Sequence, residues 1–165
     1  MKKINCAIDT SAAVSLGLTG RFELAARIFS FTGTSRVKEE LVEITGSPDE
    51  IGRAADEILK SDLITFITLE IGLQSDKAEI EVVNLSKNRN ADLVLMDDSQ
   101  ARKKLQKDCK APIRFSPFAI FMLCKNKLLT RKEALSAIED MKTKRQWKEN
   151  LIIEYAKFLF EKEEK

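Results

Sequence analysis

Histidine is missing altogether from this chain of 165 residues. That excludes Ser-His-Asp triads, Cys-His dyads and metal sites built on imidazole. Hydrolytic chemistry would have to run on carboxylates, lysines or hydroxyls. Glycine is scarce, six residues with none clustered, so there is no Gly-rich phosphate loop. The three cysteines, Cys6, Cys109 and Cys124, are odd in number and far apart. With no CxxC pair and no Cys/His cluster, they argue against zinc and for reduced thiols in a cytoplasm. The longest apolar run, residues 118–124 (FAIFMLC), is too short to cross a bilayer. The opening MKKINCAID leads straight into an expected strand and carries no signal-peptide pattern.

What is present suffices for one domain with a sizeable core. At 44% hydrophobic and 33% charged, the chain reads as folded and well solvated. Its net charge of +2 conceals an imbalance: residues 1–100 carry 11 Lys/Arg against 17 Asp/Glu, and residues 101–165 carry 17 against 9. An acidic part joined to a basic part suits a metal site beside a polyanion surface. Two solvated faces of different sign would give the same totals.

The stretch 78–104 (AEIEVVNLSKNRNADLVLMDDSQARKK) organises the rest. Leu93, Val94, Leu95 and Met96 need burial on both faces, as in a parallel sheet. The strand expected over 92–96 ends on Asp97 and Asp98, where open α/β sheets place their ligands. Adjacent carboxylates at such a point repel each other unless a cation or proton intervenes. A helix cap accounts for one of them. The strand expected over 4–8 likewise ends on Asp9, which alone reads equally as cap or ligand, with Thr10 or Ser11 able to cap the helix that follows.

Elsewhere, residues 20–31 show a helical rhythm in Phe22, Leu24, Ala25, Ile28 and Phe29, with a break at 32–34. Ser35 is expected to cap a helix with Val37, Leu41 and Ile44 on one face, and Glu40 beside Leu41 points inward. A further helix is predicted over 47–60, opened by Ser47, Pro48 and Glu50. A strand follows over 63–69, a loop over 72–77, and a helix over 78–87 capped by Ser75 or Asp76. Glu79 and Glu81 lie in its first turns, where the helix dipole favours anions.

A basic helix over 99–107 carries Arg102, Lys103 and Lys104. A short strand over 112–115 precedes helices over 118–125, 130–142 and 147–161, with Ser116-Pro117 opening the first. Leu135 of the second, and Leu151, Ile152, Tyr155, Phe158 and Leu159 of the third, are expected to pack. Residues 142–148 (KTKRQWK) set four cations around an indole. Such a segment can hold a nucleic-acid backbone, and reads first as an inter-helix turn.

Strands alternating with helices imply a parallel sheet covered by helices. Asp9, Glu40, Glu79 and Asp97 can converge at one end of it, with Asp98 and Glu81 nearby. All are hard oxygen donors, which select Mg²⁺ or Mn²⁺. Thr10, Ser11 or Ser99 could orient water or phosphate.

The chain resembles the PIN-domain family, metal-dependent ribonucleases that include VapC-type toxins. The resemblance rests on Ile8-Asp9-Thr10-Ser11, on Val37-Lys38-Glu39-Glu40-Leu41, on Ala78-Glu79-Ile80-Glu81-Val82-Val83, and on Leu95-Met96-Asp97-Asp98-Ser99-Gln100-Ala101-Arg102. It runs in order over residues 4–125. It implies a three-layer α/β/α domain with a mainly parallel sheet, a catalytic part over 1–126, and helices over 127–165 packed on it. It implies RNA cleavage with Mg²⁺ or Mn²⁺ held by Asp9, Glu40, Glu79 and Asp97. Thr10, Glu81, Asp98 and Ser99 would assist, and Arg102, Lys103 and Lys104 would contact the RNA backbone. Physiologically it implies a stand-alone enzyme or a toxin with an antitoxin protein, cytoplasmic, without a membrane, and it allows a homodimer. Ala78 stands where the family has glycine, and FTGT stands where it has a hydrophobic-Pro strand. The rivals are a non-catalytic PIN-like binding module and a phosphoryl-accepting domain. The second is disfavoured because no Asp-x-Asp follows the first strand and the acidic pair comes late.

Overall fold

The computed structural model describes residues 2–147 and 150–162. Its order is β1 (Ile4–Ile8), α1 (Thr10–Gly17), α2 (Phe22–Ala25), β2 (Phe29–Thr34), α3 (Ser35–Thr45), α4 (Glu50–Lys60), β3 (Ile64–Ile67), α5 (Ala78–Asn88), β4 (Leu93–Leu95), α6 (Ser99–Leu105), β5 (Ile113–Arg114), α7 (Pro117–Lys125), α8 (Arg131–Lys144) and α9 (Leu151–Glu161). The five strands form one all-parallel sheet in the order β3-β2-β1-β4-β5. With helices on both faces this is the three-layer α/β/α arrangement. No helix among the described residues is long and apolar enough to cross a membrane.

The strand order explains where a ligand can sit. From β1 the chain moves outward to β2 and β3, then returns past β1 to build β4 and β5 on the other side. The reversal opens a crevice between the C-terminal ends of β1 and β4. Register sets Ile8 beside Leu95, so Asp9 and Asp97 leave neighbouring strands almost level. Leu93, Val94, Leu95 and Met96 are all buried, as a two-sided strand requires.

One expectation fails outright. Residues 20–31 do not form a helix; only Phe22–Ala25 is helical, and Phe29–Thr34 is β2, against the centre of the sheet. Phe29 and Phe31 are buried on either side of exposed Ser30, a period of two. Phe31 also packs on Phe22 with ring centroids 5.0 Å apart. The apolar spacing fitted both periods, and pairing with β1 and β3 decided between them. The supposed break at 32–34 is thus strand, which positions α3 and Glu40.

Several caps fall one or two residues from their expected places. Asp9, not Thr10 or Ser11, caps α1, and Thr34, not Ser35, caps α3. Helix α4 starts at Glu50 because Asp49 accepts from the backbone N–H groups of Ile51 and Gly52, both at 3.0 Å. The Ser47 turn folds beneath it: a Cβ on Gly52 would sit 2.0 Å from the Ser47 carbonyl oxygen. Helix α5 has no side-chain cap; Ser75 and Asp76 lie in the preceding loop. Ser116 and Pro117 open α7 as expected, but the Ser116 hydroxyl makes no bond to the helix, being used elsewhere.

Helices α8 and α9 both pack on α7. Helix α9 begins at Leu151, capped by Asn150, not at Trp147; residues 148–149 of the expected helix and of the basic segment lie outside the described residues. It buries Ile152, Ile153, Ala156 and Phe160, whereas Leu151 and Phe158 are half exposed, and so is Leu135 of α8. The expected inward stripe is therefore rotated, with Tyr155 set edge-on against Phe115 at 5.5 Å.

Candidate metal and phosphodiester site

Asp9 is 5% exposed at the end of β1. Its Oδ1 accepts from the Ala12 N–H at 2.8 Å, so the cap of α1 is also a buried carboxylate. The Ser11 hydroxyl lies 3.0 and 2.9 Å from the two Asp9 oxygens, and Ser11 Oγ accepts from the Asp97 backbone N–H at 3.2 Å. Ser11 thus ties the two strand ends together. Burial, with Asp97 and Glu79 adding negative charge, pushes the Asp9 carboxyl up to about 8 against the pull of Ala12 and Ser11.

Asp97, 7% exposed, is held more completely. Its Oδ1 accepts from the Ser116 N–H and its Oδ2 from the Ser116 hydroxyl, each at 2.8 Å. Burial still raises its pKa, opposed by Ser116, Ser15 and the positive charge of Arg145. Asp98 turns outward and caps α6, accepting from the N–H groups of Gln100 and Ala101 at 2.8 Å each. The acidic pair therefore divides its work, one inward and one as a cap.

Glu40 reaches the same place from α3. Thr10 Oγ1 donates to Glu40 Oε2 at 2.5 Å, and Arg36 Nε lies 3.6 Å from Oε1. Glu79, half-buried in the first turn of α5, completes the wall. Asp9, Thr10, Ser11, Glu40, Glu79, Asp98 and Arg145 surround one cavity of about 250 Å³, with Asp97 buried behind it.

A PIN-domain family model matches residues 5–161. The chain belongs to the PIN-domain family. The match includes the last two helices, beyond the stretch where motifs could be read. No match is found among curated proteins. PIN domains are in general nucleases that act on nucleic acids and use divalent metal ions.

The donors of this PIN domain fit such an ion in kind. All are carboxylate or hydroxyl oxygens, and Asp9 sits among negative neighbours with no cation bonded to it among the described residues. They do not form a closed cage: among the described residues, no three Asp, Glu, Cys or His side chains converge on one point. An open acidic cavity suits Mg²⁺, which keeps several waters and takes one or two carboxylates.

Five other expected residues lie off the cavity. Glu81 is buried and accepts from the Ser75 N–H at 2.9 Å, fastening the loop before α5. Ser99 is exposed at the start of α6. Arg102 donates from Nε to the Ile113 carbonyl at 3.0 Å and lies over Phe115, 4.7 Å from the ring centroid. Lys103 and Lys104 are exposed on α6. Two partners escaped the sequence. Ser116 was hidden by Pro117, which made it look like a helix cap. Arg145 was one cation among several in a segment that reads as a turn.

Proposed function

We propose that this PIN-domain protein is a Mg²⁺- or Mn²⁺-dependent endoribonuclease that hydrolyses RNA phosphodiester bonds. The observation that carries the reading is the gathering of Asp9, Glu40, Glu79 and Asp98 around one cavity, with Asp97 behind it, at the sheet's switch point. Asp9, Glu40, Glu79 and Asp97 would hold the metal. A bound divalent ion supplies an acidified water and offsets charge on the phosphodiester. Thr10 holds the Glu40 carboxylate, Ser11 fixes the spacing of Asp9 from Asp97, and Ser116 fixes Asp97. Asp9 loses its proton on entering the ligand set. Asp98 and Ser99 assist from the start of α6, and Glu81 by holding the loop before Glu79. Lys103 and Lys104 contact the RNA backbone, with Arg102 lending charge from its fixed place.

In this reading residues 1–126 carry the chemistry and 127–165 form a supporting helical part, in a cytoplasmic protein. A toxin role adds an antitoxin protein as partner; growth arrest on induction, relieved by a co-expressed neighbouring gene product, tests it. Sedimentation tests for a homodimer. Cleavage of a mixed RNA pool with Mn²⁺ should be lost in Asp97→Asn, and equal activity in both proteins would remove the catalytic assignment. One observation favours the inert binding module: the acids surround a space without closing on a point. Absence of any Mn²⁺ uptake by the wild-type protein would select it.

A further inference from the structure

Among the described residues, Arg145 is the one cation whose side chain lines the acidic cavity. It comes from the C-terminal cap of α8, outside every motif that points to the site. Its Nε is shut off from solvent and has no hydrogen-bond partner among the described residues. No described ion pair includes it, although Asp9, Glu40, Glu79 and Asp98 share the cavity wall.

The helix end that delivers it is fastened. Lys144 donates to the Leu18 carbonyl at the end of α1 at 3.0 Å, and lies 4.0 Å from Glu50. One turn earlier, the Met141 sulfur accepts from the Ser116 hydroxyl at 3.7 Å, the same hydroxyl that holds Asp97. The guanidinium lies over Trp147, with Cζ 5.8 Å from the ring. A guanidinium held on an aromatic face and tied at its backbone is pre-organised for a bidentate oxyanion.

We infer that Arg145 is a substrate-binding residue whose guanidinium takes a phosphate oxygen of RNA in the acidic cavity. This rests on the ribonuclease reading above. The C-terminal helices then do more than pack: they complete the site by setting one positive group opposite the carboxylates. A bound ion would hold a phosphate from one side, and a planar fork beside it adds a second hold that narrows the orientation further.

The test compares wild type, Arg145→Gln and Arg145→Lys, with circular dichroism to establish that each is folded. Two quantities are read: Mn²⁺ binding by calorimetry without RNA, and anisotropy of a fluorescent mixed-sequence RNA hexamer with Ca²⁺ in place of Mn²⁺. Arg145→Gln should weaken the hexamer about tenfold and lower the slope of log K against log salt by about 0.7, while Mn²⁺ binding holds or tightens. Arg145→Lys should recover the salt slope and only part of the affinity. Unchanged hexamer affinity and slope in Arg145→Gln would overturn the assignment while leaving the ribonuclease reading intact. Wild-type protein that takes up neither Mn²⁺ nor RNA would overturn both.

Discussion

Asp9 and Asp97 leave adjacent parallel strands at the same edge of the sheet, both nearly closed to solvent, yet their oxygens are held differently. Ser116 engages both oxygens of Asp97, and Arg145 favours its charge. Asp9 has one backbone donor and a shared hydroxyl, and faces the negative charge of Asp97 and Glu79. One strand end is thus a fixed anchor. The other is a responsive group that holds a proton near neutral pH and gains most from a cation.

Neutral substitutions should split the pair most clearly. Asp9→Asn keeps an acceptor for the Ala12 N–H and removes the charge that burial penalises. The folded carboxyl titrates near 8, above its ordinary 3.8. The stability it contributes is therefore complete below about pH 4 and lost as pH rises through 8. Metal-free wild type should melt lower at pH 9 than at pH 6. Asp9→Asn should flatten that decline, gaining on the order of several kcal/mol at pH 9. Asp97→Asn should instead lose about 1–3 kcal/mol, because an amide sets its own donor against one of two Ser116 donors. Thermal melts across pH read both, and matching profiles for the two variants would erase the distinction.

A smaller effect is expected at the anchor's support. Ser116→Ala keeps the backbone donor and removes the hydroxyl, so RNA cleavage should fall about 10- to 100-fold with little change in Mn²⁺ affinity. Affinity falling together with rate would mean that Ser116 shapes the metal site directly. The smallest effect is expected on α6. Lys103→Ala and Lys104→Ala should each weaken RNA binding evenly across sequences and reduce the salt slope by at most about 0.7, with metal binding unchanged.

The two strand ends also differ in how far they could be read. Around β4, four apolar residues followed by two carboxylates leave few alternatives, and the structure follows them: Asp97 inward, Asp98 as cap. At β1, Asp9 read equally as cap or ligand, with Thr10 and Ser11 competing for the cap, since Thr, Ser and Asp all cap well. Strand β2 was misread because Phe22, Ala25, Ile28 and Phe29 satisfy a helical period, and only sheet pairing selects the other. Ser116 had no local signal for its bond to Asp97, and Arg145 had only the general one of a basic segment around an indole, which reads first as a turn. Each reaches the site through tertiary packing, from residues 19 and 48 positions beyond Asp97. The face of α9 turned for the same reason, its burial being set by α7 and not by its own strongest stripe.

Calorimetric titration of Mn²⁺ into wild type and Asp9→Asn, from pH 6 to pH 9, tests the central claim most directly. Wild type should bind with an affinity that rises about tenfold per pH unit up to about 8 and then levels off, releasing a proton as it binds. Asp9→Asn should bind at least about 100-fold more weakly, with no pH-dependent rise through that range. Equal, pH-independent binding by the two proteins would contradict the claim that Asp9 is the carboxylate around which the site forms.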